Sequence, residues 1–343
     1  MKDIHESVFA SSLRAFFVTL FGVLGIAIAM VAVGFVYLGI STAIKEETFS
    51  SKVKILTDAA GNREKLGTSV PILLQITLDG QIGSDKLTGK NIEEILLDSR
   101  EDVFKESRVK GVLLMINSPG GGVNDSDTIY RLLKQYKAHY KVPIYAYVEG
   151  LCASGGYYIA CAADKIYASE VSLVGSIGVL AWPPFMNLVD ALEKIGVNAL
   201  TLSAGKGKDE MNPFRTWQPD EQNHYQSLID FYYNHFTEVV SLNRSIPQEH
   251  ITRDLGAKVF PAIEALHLGL VDKTGYTRSE VLGELAHAAG IKGKYQVVGF
   301  ESKSWWKQLL KERHNSPLLT GKIKHELALP THTDNPFSYI FKP

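Results

Sequence analysis

Short apolar runs of strand length alternate with amphipathic helical patterns between residues 70 and 202. The predicted strands cover 70–76, 112–116, 144–148, 165–168 and 199–202. The predicted helices between them cover 92–104, 125–136 and 187–195, and a longer helix is predicted over 220–242. Strands that alternate with helices are typical of βαβ units. The pattern therefore predicts an α/β fold with a mainly parallel sheet and flanking helices.

One apolar segment is too long for any of these elements. Residues 15–44 contain no charged side chain over thirty positions, whereas a helix crosses a bilayer with about 20 residues. A cleaved signal peptide would have a shorter apolar region of about 7 to 15 residues, so we expect one transmembrane helix after a short N-terminal segment, 1–14. The positive-inside rule does not favour export of the body, because basic residues flank the helix on both sides: Lys2, Arg14, Lys45, Lys52 and Lys54.

Three further segments follow the predicted helix. Residues 45–69 are polar and mixed in charge without a clear period, which indicates a stalk. Residues 70–290 form the predicted water-soluble body. In the C-terminal extension, 291–343, the part from about His314 holds four of the thirteen prolines and little periodicity, so we expect it to be extended or disordered.

Composition narrows the classes of partner. Among 343 residues the net charge is −1, so no basic field favours nucleic acid, and a hydrophobic fraction of 45% allows a sizeable core. The chain has two cysteines, Cys152 and Cys161, which neither require nor exclude an oxidising compartment. We expect both to be buried as small apolar side chains rather than to act as a thiol nucleophile or a disulfide.

The stretch GLCASGGYYIACAA, residues 150–163, places Ser154 between a predicted strand and a predicted helix. A side chain at this turn lies at the carboxyl end of the strand, where the helix N-terminus offers free N–H groups and a positive potential. Two roles fit the position. Ser154 is either a nucleophile or an N-cap, and a cap contributes about 1 kcal/mol to helix stability.

A second glycine-rich turn follows the preceding strand, in NSPGGGVNDSD at residues 117–127. Glycines permit a close approach of the backbone, so 120–122 can aim an N–H group at a substrate oxygen. The spacing matches neither the dinucleotide-binding pattern nor a phosphate-binding P-loop. Because consecutive parallel strands end at one edge of the sheet, the two turns should converge, one supplying a nucleophile and the other half of an oxyanion hole.

A serine nucleophile needs a base, and residues 140–223 contain no histidine. A triad assembled through the fold stays open. The loop LSAGKGKDEMNP offers Lys206 and Lys208. A lysine accepts a proton only when neutral, so its pKa must fall from about 10.4, and two solvated loop lysines are the alternative. We expect Asp209 and Glu210 to be solvated; a carboxylate close to the lysine would raise its pKa and oppose the role of base.

Four motifs in this order resemble the signal peptide peptidase A family, whose members are membrane-anchored Ser-Lys peptidases with a Clp protease/crotonase-like fold. They are INSPGGGVNDSD, GLCASGGYYIACAAD, VGSIGVL and SAGKGKDEMNP, and the resemblance covers about residues 70–280. It implies that Ser154 is the nucleophile and Lys208 the general base, with Lys206 as the fallback.

The resemblance also implies supporting roles for three residues. Ser176 of VGSIGVL would hydrogen-bond the lysine amine, and the N–H groups of Gly121 and Gly155 would form the oxyanion hole. No metal or cofactor is implied. The expected substrates are released signal peptides and other membrane-associated or misfolded polypeptides, cleaved through an acyl-enzyme.

The family further implies a single-pass protein of the cytoplasmic membrane with its catalytic body on the extracytoplasmic side, against the charge signal. Short members form ring-like homo-oligomers, which implies a dyad shared between protomers. Two other classes stay open. A crotonase-like acyl-CoA enzyme would use the glycine N–H groups without a serine nucleophile, and a non-catalytic membrane scaffold would keep the fold without turnover.

Overall fold

The computed structural model describes residues 17–19, 21, 25, 52–67, 69–84, 86–101, 104–105, 107–181, 183–301 and 337–340. The chain separates into two compact units, Met1–Ser50 and Ser51–Pro343. The predicted transmembrane helix, 15–44, lies almost entirely outside the described residues. Within the ranges given above, no helix is both long and apolar enough to cross a bilayer.

The second unit is an α/β fold. Its strands are β1 (Lys52–Leu56), β2 (Ile72–Asp79), β3 (Val109–Ser118), β4 (Gly120–Gly122), β5 (Ile144–Ala153), β6 (Lys165–Ala168), β7 (Leu173–Gly175), β8 (Leu180–Ala181), β9 (Val259–Pro261), β10 (Lys273–Thr274), β11 (Gln296–Glu301) and β12 (Phe337–Ile340). Its helices are α1 (Gly89–Asp98), α2 (Val123–Tyr140), α3 (Gly155–Ala160), α4 (Val189–Lys194), α5 (Glu221–Arg244), α6 (Gln248–His250, continued by a π-helical turn, Ile251–Leu255), α7 (Ala262–His267) and α8 (Arg278–Ala288).

The main sheet has the strand order β1-β11-β2-β3-β5-β6-β10. All neighbours in this order run parallel except β1, which is antiparallel to β11. On the edge away from β3, strand β5 has two successive partners, because 145–148 pairs with β6 whereas 151–153 pairs with β7. Strand β7 in turn pairs with β9. The sheet therefore divides into two arms just before the turn that carries Ser154.

The central strands are buried on both faces, which explains their continuous apolar sequences. In β3 the side chains of Leu114 and Ile116 join the larger core, which α1, α2, α3 and α5 cover. Leu113 and Met115 point to the opposite face and pack with residues of α8, such as Leu285. This two-sided burial holds the carboxyl ends of the strands in fixed positions, where both glycine turns follow.

The structure differs from the predicted elements in three places. Residues 199–202 form no strand, and Leu200 and Leu202 are 84% and 85% exposed. Lys52–Leu56, predicted as stalk, forms β1, and Gln296–Glu301, predicted as extension, forms β11. Apolar alternation over four residues indicates a strand only when a partner edge exists. β1 at the sheet edge and β11 beside it are short, and each carries too few apolar residues for a clear sequence signal.

Candidate active site

Ser154 lies in a strained turn between β5 and α3. Its backbone has φ 54° and ψ −119°, a region that glycine adopts readily and other residues rarely. The main chain fixes the turn on both sides, because Ser154 N donates to Gly175 O at 2.8 Å and Tyr158 N donates to Ser154 O at 2.9 Å. A strained conformation that is held this firmly is typical of functional sites.

The Ser154 hydroxyl is buried and unpartnered. The residue is 1% exposed, and its Oγ has no hydrogen-bond partner among the described atoms. It makes no capping bond to the helix that follows, so the N-cap role considered from the sequence is wrong. A buried hydroxyl without a partner costs about 1 to 3 kcal/mol. The position therefore keeps a reactive group available at the expense of stability.

Two fully buried tyrosines tie α3 to the rest of the core. Tyr157 donates its hydroxyl to Leu270 O, and Tyr158 donates to Asp127 Oδ1, both at 2.8 Å. Burial alone would raise the pKa of Asp127, but the hydrogen bonds from Tyr158 and Arg131 hold it below its usual value. The short helix after Ser154 is thus held in place by hydrogen bonds to two separate segments of the chain.

The neighbouring cysteines do not compete as nucleophiles. Cys152 and Cys161 are free thiols and both are buried, as the sequence predicts. Burial raises the pKa of Cys161 to about 12 and that of Cys152 well above its ordinary value. Because only the thiolate is strongly nucleophilic, neither side chain is reactive near neutral pH.

The glycine strand β4 is held along one edge by Ile82. Ile82 N donates to Gly120 O at 2.9 Å and Gly122 N donates to Ile82 O at 3.1 Å. Since successive residues of a strand direct their N–H and C=O groups to opposite edges, those of Gly121 face away from Ile82. A Cβ on Gly121 would collide with the Ile82 carbonyl group. Sequence reasoning selected Gly121 but gave no signal for Ile82.

Ser118 and Gly156 bring β4 and α3 together. Ser118 Oγ donates to Gly80 O at 2.6 Å and accepts from Gly120 N at 3.1 Å, which braces the start of β4. A Cβ on Gly156 would lie 3.1 Å from Ser118 O, so the glycine allows α3 to approach the end of β3 closely. The result is a contact between β4 and the helix that begins at Gly155.

Ser176 lies directly beside the turn that carries Ser154. It follows Gly175, whose carbonyl accepts the Ser154 N–H, and it is 6% exposed. Its φ is 55°, and its N–H donates to Lys258 O at 2.6 Å. The fold thus brings Ser154 and Ser176 together, on the arm of the sheet formed by β5, β7 and β9.

The two candidate lysines lie elsewhere on the chain surface. Lys206 and Lys208 are exposed in a tight loop, where Lys208 N donates to Gly205 O at 3.2 Å. Gly205 and Gly207 have φ values of 105° and 77°, so this turn requires glycine at both positions. Since Ser154 Oγ has no partner, neither lysine hydrogen-bonds to it within one chain. The structure therefore brings Ser154 and Ser176 together, but it does not bring Lys206 or Lys208 to Ser154 within one chain.

An arginine that the sequence did not single out organises this loop. Arg215 Nε donates to Asp209 Oδ2 at 2.8 Å, and Arg215 Nη1 pairs with Glu221 Oε1 at 2.6 Å. The hydrogen bond from Arg215 holds the pKa of Asp209 below its usual range. Asp209 is therefore not simply solvated, as expected from the sequence, but is paired with a cation.

Strand β12 lies against the edge of β4 that Gly121 faces. It runs antiparallel to both β4 and β8, with Tyr339 opposite Gly121 and Ser338 opposite Leu180, and it contacts α3. An extended segment of the chain thus lies between the two strands, beside the nucleophile turn. Sequence reasoning predicts this part of the chain as extended or disordered but gives no partner for it.

Comparison with known proteins places these motifs in context. Residues 137–292 match the model of peptidase family S49, and residues 74–172 match the model of Clp protease. The second match agrees with the observed α/β fold and its mainly parallel sheet.

Three curated relatives illustrate the likeness. A protein of Enterococcus faecium named as a signal peptide peptidase is 31% identical over 77% of this chain and 74% of its own length. One of Methanocaldococcus jannaschii named as a protease is 36% identical over 56% of this chain and 60% of its own length. A chloroplast serine protease of Arabidopsis thaliana is 33% identical over 54% of this chain, which spans 27% of that relative.

Proposed function

Because the chain belongs to peptidase family S49, a family of serine peptidases, we propose that it is a membrane-anchored endopeptidase with a Ser154–Lys208 dyad. The observation that carries the proposal is the buried Ser154 hydroxyl, which has no hydrogen-bond partner. It lies in a turn whose positive φ angle is held by main-chain hydrogen bonds. Beside it, Gly121 directs its N–H away from Ile82 and toward the edge of β4 that β12 occupies.

The proposed reaction follows from these positions. Neutral Lys208 accepts the proton of Ser154 Oγ, and the oxygen attacks the carbonyl carbon of the substrate peptide bond. The N–H groups of Gly121 and Gly155 stabilise the negative oxygen of the tetrahedral intermediate. Lys208 then protonates the leaving amine as the C–N bond breaks. Water then attacks the acyl-enzyme. Lys208 accepts a proton from this water and gives it to Ser154 Oγ as the ester C–O bond breaks.

We further propose that the dyad is completed between protomers of a homo-oligomer. Within one chain the Lys208 amine forms no hydrogen bond with Ser154 Oγ, which supports its supply by a second copy. The segment that carries Lys208 exposes large apolar side chains, which favours contact with another protein surface. These are Ile195 (71% exposed), Leu200 (84%), Leu202 (85%) and Phe214 (47%).

The proposed substrate is an extended peptide bound between β4 and β8. Both strands offer a free edge when β12 is absent, and β12 itself demonstrates that an extended backbone fits between them. Main-chain pairing of this kind accepts many sequences. Released signal peptides and membrane-associated or misfolded chains are the substrates we propose, with anchoring by residues 15–44 in the cytoplasmic membrane and the body on its extracytoplasmic side.

Turnover of a fluorogenic signal-peptide-like substrate by the full-length protein in detergent tests the proposal. Ser154→Ala and Lys208→Ala should each lower kcat by at least about 10⁴-fold, because dyad members act as a unit. Lys206→Ala is the matched variant that distinguishes the two lysines. If Ser154→Ala retains turnover, the nucleophile is wrong, and an acyl-CoA enzyme or a scaffold of this fold becomes the better explanation.

Mixing tests the sharing of the dyad. Oligomers assembled from Ser154→Ala and Lys208→Ala chains contain some pairs with an intact serine facing an intact lysine. They should recover a measurable part of wild-type turnover, whereas each variant alone stays inactive. Mixed oligomers that are verified by mass and still inactive would contradict a shared site.

A further inference from the structure

The loop that carries the lysines is organised by polar contacts rather than by a core. Helix α4, which precedes it, has no buried residue. Arg215 instead bonds twice to Asp209, through Nε to Oδ2 and through Nη2 to the carbonyl oxygen, each at 2.8 Å. A third contact joins its Nη1 to Glu221 at the start of α5. Glu221 is 8% exposed and also accepts Met211 N at 3.2 Å.

The position of Asp209 makes this arrangement chemically relevant. Asp209 directly follows Lys208, and a carboxylate near an amine favours the protonated amine, which cannot act as a base. No ion pair joins Lys208 to Asp209, whose carboxylate is turned to Arg215. A guanidinium stays charged at every physiological pH and its fork matches a carboxylate, so the pairing persists where the base must be neutral.

We propose that Arg215 is a positioning residue for the base: it holds the Asp209 carboxylate away from the Lys208 amine and anchors the lysine loop to α5. The inference rests on the proposed function, because it takes Lys208 as the base. Arg215 contacts neither substrate nor the reacting atoms in this role. It acts through the charge and the path of the loop.

The charged residues that flank Lys208 along the described chain include Lys206, Asp209 and Glu210 on the loop and Glu221 at the start of α5. The positive charge of Lys206 disfavours the protonated form of the Lys208 amine, and the negative charge of Glu210 favours it. The Glu210 carboxylate folds back over Gly207, where a Cβ would lie 2.7 Å from Oε1. Glu221 on α5 is paired with Arg215. Loss of Arg215 releases both carboxylates, but Asp209 directly follows Lys208 in the chain, whereas Glu221 is 8% exposed and still accepts the Met211 N–H.

The pH dependence of kcat/KM tests the proposal in the full-length protein. In Arg215→Gln the freed carboxylate favours protonated lysine, so the acid limb should shift upward by about one pH unit. Turnover should fall about tenfold on that limb and much less on the alkaline plateau. Adding Asp209→Asn to Arg215→Gln removes the carboxylate and should return the limb to its wild-type position.

Glu221→Gln is the matched control. It removes the other carboxylate partner of Arg215 but leaves Asp209 paired, so the limb should stay in place even if turnover falls. Arg215→Lys keeps the charge without the fork and should shift the limb less than Arg215→Gln. Thermal melting and sedimentation would reveal whether Arg215→Gln folds and assembles. If it does not, the position of the acid limb is measured in Arg215→Lys instead.

The two possible failures are separable. A loss in Arg215→Gln that is uniform over pH, and that Asp209→Asn does not change, would show a purely structural anchor and overturn the inference. Full turnover by Lys208→Ala would instead overturn the proposed function, whatever the Arg215 variants do.

Discussion

The turn that carries Ser154 and the loop that carries Lys208 are built in opposite ways. Around Ser154 the side chains of Cys152, Tyr157 and Tyr158 are fully buried, and the backbone is fixed by bonds to β7. The lysine loop lies between an α4 without buried residues and the start of α5. Its order comes from glycine turns and from one arginine with two carboxylates.

This difference indicates which parts of the candidate site are fixed by the core of one chain and which are not. The hydrophobic core of the chain is sufficient to fix Ser154 and the glycine strand. It does not fix Lys208, the proposed base, whose loop exposes apolar side chains that a second copy would cover in the proposed oligomer. Changes around Ser154 should therefore act through local geometry, and changes to the exposed apolar side chains of the lysine loop through assembly.

Among changes that leave Ser154 and Lys208 in place, the largest effect is expected from Gly121→Ala. The new Cβ would collide with the Ile82 carbonyl, so β4 must shift and the Gly121 N–H must leave its position. The loss of one oxyanion donor lowers kcat by about 10² to 10³-fold. Gly122→Ala is the control, because its Cβ would lie 3.8 Å from Asp125 Oδ2 and its φ of −60° suits alanine. Equal kcat values in the two variants would contradict a fixed glycine edge.

A smaller effect, and one that depends on protein concentration, is expected on the lysine side. Replacing Leu200 and Leu202 by serine removes apolar area that the oligomer would bury, which weakens association by about 3 kcal/mol or more. Turnover at low protein concentration should then fall about tenfold and recover when the concentration is raised. Sedimentation would report the change in assembly.

The matched variant for this prediction is Val171→Ser. Val171 is 85% exposed but belongs to the nucleophile arm between β6 and β7. It should leave both assembly and turnover unchanged. If the leucine variant also remains fully assembled, these side chains do not form the contact between copies.

The smallest effect is expected from the strand that links the two regions. β12 pairs with β4 on the nucleophile side and with β8 at the entrance to the lysine segment. A tethered strand competes with substrate for the same edges, so deletion of 337–343 should raise kcat/KM about two- to fivefold. Deletion of 341–343 alone retains β12 and should not. A fall in kcat/KM after the longer deletion would indicate that β12 supports the groove instead.

The buried half of the molecule is the part that sequence patterns predict well. The strand at Lys165–Ala168 has the predicted bounds, and β3 and β5 contain the predicted apolar runs. Strands covered on both faces are apolar without interruption, and this signal is local. The turn at Ser154 is recognisable for the same reason, since Gly156 is required by the close packing of α3 on Ser118.

The remaining features depend on partners that a local pattern does not encode. The alternation at 199–202 predicts a strand, yet no strand edge among the described residues receives it. β12 is a strand only because β4 and β8 accept it. Arg215 lies six residues after Asp209, and nothing in that spacing identifies the pair. These contacts are properties of the folded surface.

The backbone at Ser154 has a consequence for how such a chain can change over generations. Glycine adopts φ 54° without strain, so Ser154→Gly would relieve about 1 to 3 kcal/mol while removing the nucleophile. Selection for folding stability alone would therefore favour replacement of Ser154 by glycine. A lineage that no longer needs turnover gains by losing this residue first, and its sequence would then show a glycine here before any decay elsewhere in the fold.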